Sequence, residues 1–138
     1  MSTLKVGTVQ NSGAGAPTFK NSSGTEIGQL AKAWVNFDGT FSSSPFTEGN
    51  GGIRDSFNVT SVTDNGTGDY SVAFTNAMSS ANYVVTTSYT TTNSSSNTCR
   101  VKNDTMATTG FDIQAGGFQL GTGNDNKDHT ACMVAVFL

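Results

Sequence analysis

From Ala31 to Asp38 the chain alternates, with Ala31, Ala33, Val35 and Phe37 in one phase and Lys32, Trp34, Asn36 and Asp38 in the other. A period of two puts the first set on one face of a β-strand and the second on the opposite face, whereas a helix would scatter both around its circumference. Strands are therefore expected, with one face in a core. The composition agrees: Gly reaches 16 of 138 residues and only 12% are charged. Ser, Thr and Asn fill much of the remainder, strong helix formers are scarce, and nine Phe with spaced Val and Tyr suffice for a core. A net charge of −3 is too small to hold such a chain unfolded.

The pattern continues. A Ser- and Gly-rich loop from Gly39 to Gly52 carries Phe41, Pro45 and Phe46, and the next strand runs Ile53 to Thr63 with Phe57 and Val59 facing one way. The run 64–69 (Asp-Asn-Gly-Thr-Gly-Asp) reads as a hairpin, because Asn-Gly supplies the positive φ angles of a primed turn. Strands follow at Tyr70–Phe74, Tyr83–Tyr89, Cys99–Lys102 and Gly110–Gln114. A polar loop spans 116–130, and the nearly all-apolar stretch Ala131–Leu138 ends the run. A strand apolar on both faces must be covered on both, which favours a central strand whose second face meets a neighbouring subunit. Residues 1–30 differ from the rest. Leu4, Val6 and Val9 give a strand-like piece, 11–17 a loop and 21–24 a turn, with too few apolar residues to bury alone. The expected division is a leader, 1–30, that packs on copies of itself or on a host structure, and one all-β domain, 31–138.

Several functions are disfavoured. Seven basic residues are scattered singly, so no patch exists to displace counterions from phosphate, and nucleic acid is not an expected partner. No apolar run reaches membrane-spanning length and residues 1–5 open no signal peptide, so the expectation is cytoplasmic assembly without membrane insertion. Five N-x-S/T sequons, from Asn21 to Asn103, are expected by chance in so Ser/Thr-rich a chain. Cys99 and Cys132 are read as small buried apolar side chains rather than a disulfide.

Several segments taken together resemble a known family. They are 33–40 (Ala-Trp-Val-Asn-Phe-Asp-Gly-Thr), 53–59 (Ile-Arg-Asp-Ser-Phe-Asn-Val), 63–70 (Thr-Asp-Asn-Gly-Thr-Gly-Asp-Tyr), Phe74–Met78 and Ala81-Asn82-Tyr83, with 4–6 and 18–28 in the leader. In that order they resemble the C-terminal heads of tail-fibre-like, receptor-binding proteins of marine, cyanophage-like phages, over most of residues 1–90. The resemblance implies a virion structural protein with an antiparallel β-sandwich head, jelly-roll-like, a parallel homotrimer, a leader bound to other virion proteins, and loops that contact a host receptor, a surface glycan foremost. The loop 39–52 is longer than the family's link, which points to an added contact surface. The short leader and the lack of a long shaft keep a second reading open, a trimeric capsid decoration or head-fibre protein without a receptor role.

No catalytic set is expected. Glu26 and Glu48 are the only Glu, and Asp64 and Asp69 flank a turn where Asp is common. His129 is the sole His and reads as a loop residue beside Asp128. The cluster 123–128 offers oxygen ligands for Ca²⁺ but lacks EF-hand spacing, so no metal and no cofactor is expected. The receptor-contact candidates are Phe41, Pro45, Phe46, Glu48 and Asn50 on the long loop, and Trp34. Phe41 and Phe46 either tuck back as loop anchors or form a receptor-facing patch. The Trp34 indole either stacks on a sugar or, as the preferred reading, is a trimer-interface or second-face core residue. If the strands simply run up and down, loops 39–52, 76–82 and 104–109 share the end distal to the leader, and 64–68, 91–98 and 116–130 the other.

Overall fold

A computed structural model describes residues 6–10, 19–90, 97–102, 104–119 and 123–138. The protein is all-β, with antiparallel sheets and no helix among the described residues. The chain divides into two compact units, 1–30 and 31–138.

In the first unit, β1 (Phe19–Lys20) pairs with β2 (Glu26–Gly28). The expected turn closes this hairpin. Asn21 Oδ1 accepts the amides of Ser23 and Thr25 at 3.1 and 2.9 Å, and Gly24 takes a φ of 80°. Val6, Val9, Phe19, Ile27 and Leu30 stay exposed.

The second unit has two stacked sheets. One contains β3 (Ala33–Phe37), β4 (Ile53–Phe57), β7 (Val84–Thr90) and β11 (Ala131–Phe137), in the order β4-β3-β11-β7. The other contains β5 (Val59–Gly66), β6 (Asp69–Phe74), β8 (Asn97–Val101), β9 (Gly110–Gln119) and β10 (Gly123–Asn126). Here β6 and β8 flank β9 on opposite edges, since both pair with Ile113 and Gln114. The alternation at Ala33–Phe37 holds: Ala33, Val35 and Phe37 are buried, and so are Cys132, Val134 and Val136 of β11. Opposite them stand Val59, Val62, Tyr70, Val72, Phe74, Phe111, Ile113 and Ala115. Val59 and Val62 both point inward, although three residues apart, because a bulge between Val59 and Ser61 resets the phase. The strand Ala131–Phe137 is central, as its two apolar faces require.

Four readings are corrected. The strand expected from Ile53 to Thr63 is two strands in different sheets. Asn58 breaks it at a φ of 56°, and Val59 is buried while Phe57 is 53% exposed, so the two do not face one way. Asn58 holds this corner with its side chain: Nδ2 donates to the Lys32 and Asn76 carbonyls at 3.1 and 3.2 Å, and Oδ1 accepts the Asn76 amide at 2.7 Å. The hairpin at 64–69 forms and Gly66 of the Asn-Gly pair takes a positive φ (129°), but Asn65 does not, and the turn itself is Thr67–Gly68, with Gly68 at a φ of 66°. The strand expected at Gly110–Gln114 extends to Gln119 and pairs with β10, so residues 116–130 are not one loop. The corner at Asn58 also adds a reversal that an up-and-down count omits. Loop 39–52 therefore starts at the end carrying hairpin 66–69 and residues 127–130, away from loops 76–82 and 104–109. Those two loops meet each other through the Met78 amide and the Thr108 carbonyl at 2.8 Å.

Candidate functional site

The end of the sandwich remote from Ala31 is built around Tyr70 and Asp128. Tyr70 leaves the β6 hairpin with its ring fully buried, and its hydroxyl donates to Asp128 Oδ1 at 2.6 Å, lying 3.0 Å from the Gly39 carbonyl. The same carboxylate oxygen accepts the Gly68 amide at 2.7 Å, and the Gly39 amide donates to the His129 carbonyl at 2.9 Å. Burial, and then the Asp128 carboxylate, push the Tyr70 phenol far above its ordinary range, so it remains a neutral donor. Three connections are thereby fixed as one surface: the start of the long loop, the 66–69 hairpin and residues 127–130.

The long loop runs from this end along β5. Phe46 pairs with Val62 through both backbone hydrogen bonds, 2.6 and 3.1 Å, and Ser44 Oγ accepts the Asp64 amide at 3.0 Å. Phe46 is fully buried, packed on Phe37, Phe41 and Tyr70 with ring centroids 5.9–6.2 Å apart. It is the anchor of the loop and leaves the set of contact candidates. Phe41 is half-buried, set edge-on to Phe46, and is an anchor as well. Pro45, Glu48 and Asn50 are exposed. Asn50 shapes its own turn, with Oδ1 accepting the Thr47 and Gly52 amides and Nδ2 donating to the Pro45 carbonyl. Glu48 accepts the Ser56 hydroxyl at 2.7 Å. At the base of the loop Asp38 accepts Thr40 and pairs with Arg54 at 3.0 Å. Burial works against its ionisation, but the Thr40 hydrogen bonds and the guanidinium outweigh it and hold the carboxyl below its usual range.

Trp34 lies apart from this loop. It is half-buried on the outer face of the β4-β3-β11-β7 sheet, in a row with Phe57, Ala135 and Thr86. The sequence pattern identified Trp34 and the outward phase of β11 but missed Phe57, because the break at Asn58 was not visible in it.

His129 lies in the loop before β11, as expected, but it is not solvated. It is 6% exposed, stacked at 4.6 Å on Tyr89, and its Nε2 has no hydrogen-bond partner. Burial lowers its basicity, Asp128 opposes that, and Lys127 adds to it. Cys99 and Cys132 are free thiols, both raised by burial, Cys132 to about 12. Protonated thiols behave as the small apolar side chains expected of them. For the 123–128 cluster, the side chains of 123–125 lie outside the described residues, and Asp128 is committed to Tyr70 and Gly68.

No protein-family model, no curated protein and no solved structure matches this chain, so its function has to be read from the geometry.

Proposed function

We propose that the chain is a non-enzymatic attachment module of a phage virion: a homotrimeric fibre head, jelly-roll-like in plan, joined to other virion proteins through residues 1–30. Its loops at the end remote from Ala31 engage a host surface receptor, a glycan foremost. The observation that carries this reading is the locked loop surface. Asp128 and Tyr70 clamp three connections, and Phe46 pins the longest of them to the core. This leaves Pro45, Glu48 and Asn50 exposed on a fixed backbone. A rigid polar surface suits saccharide hydroxyls, because little ordering entropy is lost when they bind. The exposed apolar residues of the leader, Val6, Val9, Ile27 and Leu30, fit a segment covered by another protein.

A second reading, a trimeric capsid decoration protein without a receptor role, is favoured by a different feature. The outer face of the β4-β3-β11-β7 sheet exposes Phe57 and Val84 beside half-buried Trp34 and Met133, which suits packing against neighbours whether or not the loops bind anything.

Labelled full-length protein should bind cells of the host on which the encoding phage propagates, and periodate oxidation of surface glycans should abolish the binding. Failure to bind those cells under any condition would exclude the receptor role and leave decoration.

A further inference from the structure

We infer that the outer face of the β4-β3-β11-β7 sheet seats a second copy of this chain. This deepens the trimeric part of the proposed function by naming the surface, and it rests on that reading only for the number three.

The face carries a cluster of large apolar side chains interleaved with the polar Asn36, Thr86 and Ser88. Across the strands, Phe57, Trp34 and Ala135 form one row, and Met133 stands beside Asn36 in the next. Phe137 is paired with Val84 beyond them. Phe57 and Val84 are 53% and 62% exposed, and Trp34, Met133, Ala135 and Phe137 are half-buried. The partly buried side chains that pack on the core are others: Phe41, Val85, Cys99, Val101, Met106 and Leu138. The outer face of the second sheet shows what this composition does when water is the neighbour. It carries Asn65 bonded to Ser71, Arg100 bonded to Gln114, and Lys102 paired with Asp69 at 2.9 Å. The first face has polar groups too, Arg54 bonded to Asn36 among them, but it also leaves large apolar side chains exposed.

Three observations select a second copy as the occupant. The first is shape. Ala135 is small between larger neighbours, so Trp34, Asn36, Met133, Thr86 and Ser88 surround an open depression of about 360 Å³. Phe57 projects from the edge strand β4 of the same face, while the depression is lined by β3, β11 and β7. The knob of one copy can therefore enter the depression of the next, a head-to-tail contact of the kind that closes into rings. The second is charge. Lys32, out of phase with Ala33, and Asp55, beside Asn36, put one charge of each sign at the margin of the face, and neither forms an ion pair among the described residues. Copies meeting through this face bring no excess of like charge together. The third is that both outer strands of this sheet are tied to the other sheet. The chain turns from β4 into β5 at Asn58, and Phe46 pairs against β5. At the other side the Thr87 hydroxyl reaches the Cys99 carbonyl of β8. These ties restrict edge-strand pairing at those points.

Trp34 is the sole tryptophan, so its emission reports this face directly. Full-length protein in analytical ultracentrifugation should sediment as a trimer, with Trp34 emission blue-shifted and shielded from acrylamide. Phe57→Lys should sediment as a monomer with red-shifted, quenchable emission and unchanged far-UV circular dichroism. Val84→Lys, at a still more exposed position, serves if Phe57→Lys fails to fold. Ala135→Glu alone should also dissociate the protein, and Phe57→Lys/Ala135→Glu together should restore the trimer by pairing the new charges across the contact. If both lysine variants remain trimeric with Trp34 shielded, the face is not the interface, and the trimer is made elsewhere. A wild-type protein that is monomeric throughout the micromolar range overturns both this inference and the trimeric reading. A monomer whose Trp34 emission shifts on adding host saccharide overturns it in favour of a sugar platform.

Discussion

The hydroxyl of Tyr70 donates to Asp128 Oδ1 at 2.6 Å across 58 residues of sequence, and the same oxygen takes the Gly68 amide. A hydrogen bond to a charged acceptor in a partly buried site is among the stronger kinds, and its loss leaves a carboxylate short of a donor. Tyr70→Phe keeps the packing against Phe37, whose ring centroid lies 5.1 Å away, and removes only the hydroxyl. The expected cost is about 1–3 kcal/mol in denaturant unfolding. Faster hydrogen exchange at the Gly68 amide should accompany it, since that amide depends on the same oxygen. Unchanged exchange there would show that the three connections are held by other means.

The corner at Asn58 should tolerate little. Asn58→Ala removes the bonds to Lys32 and Asn76 and strains a φ of 56°, for an expected loss of about 2–4 kcal/mol. Asn58→Gly relieves the strain but not the missing bonds, so its loss should be about 1 kcal/mol smaller. Equal losses in chemical denaturation would mean that the backbone angle contributes nothing.

Phe46 and Glu48 separate anchoring from contact within one loop. Phe46→Ala empties a fully buried site and should cost about 3–5 kcal/mol. Glu48→Ala, at an exposed position, should change stability by no more than about 0.5 kcal/mol while weakening attachment to host cells. Measured together by unfolding and by cell binding, the two variants should dissociate stability from binding.

Much of the core was legible because the period-two signal is a direct consequence of pleating: Val35, Phe37, Val72 and Phe74 lie inward as their alternation dictates. The corner at Asn58 was not legible, because an Asn in a polar-apolar run looks like any outward residue until its φ is known. The continuation of β9 past Gln114 was hidden for a similar reason. Gly116 and Gly117 read as loop residues, yet they pair with β8 and β10. The candidate site was legible only in part. Sequence gave no means of telling that Phe46 turns inward while Pro45 beside it stays out. The Tyr70–Asp128 clamp joins residues too distant in sequence for any local pattern to connect.

His129 sets an acid limit. Its ordinary value is 6.5 and burial lowers it, so below that pH the unfolded chain takes a proton that the folded chain refuses. Stability is therefore full above about pH 6.5 and declines as pH falls from there, at up to about 1.4 kcal/mol per pH unit. Asp38, lowered from 3.8, adds a second decline below that value. At the other extreme Cys132, raised from 9.0 to about 12, makes stability fall as pH rises above 9.0. Unfolding free energies should be measured between about pH 7 and pH 5 for wild type and His129→Leu. The variant should show a shallower slope, and identical slopes would remove His129 as the cause.

The central claim is that this chain is an attachment module of a virion, and labelling it on intact particles tests that most directly. Antibody against residues 31–138, imaged by electron microscopy on purified phage, should mark the distal tips of fibres. Label spread evenly over the capsid would favour the decoration reading. Absence of the chain from purified particles would contradict both.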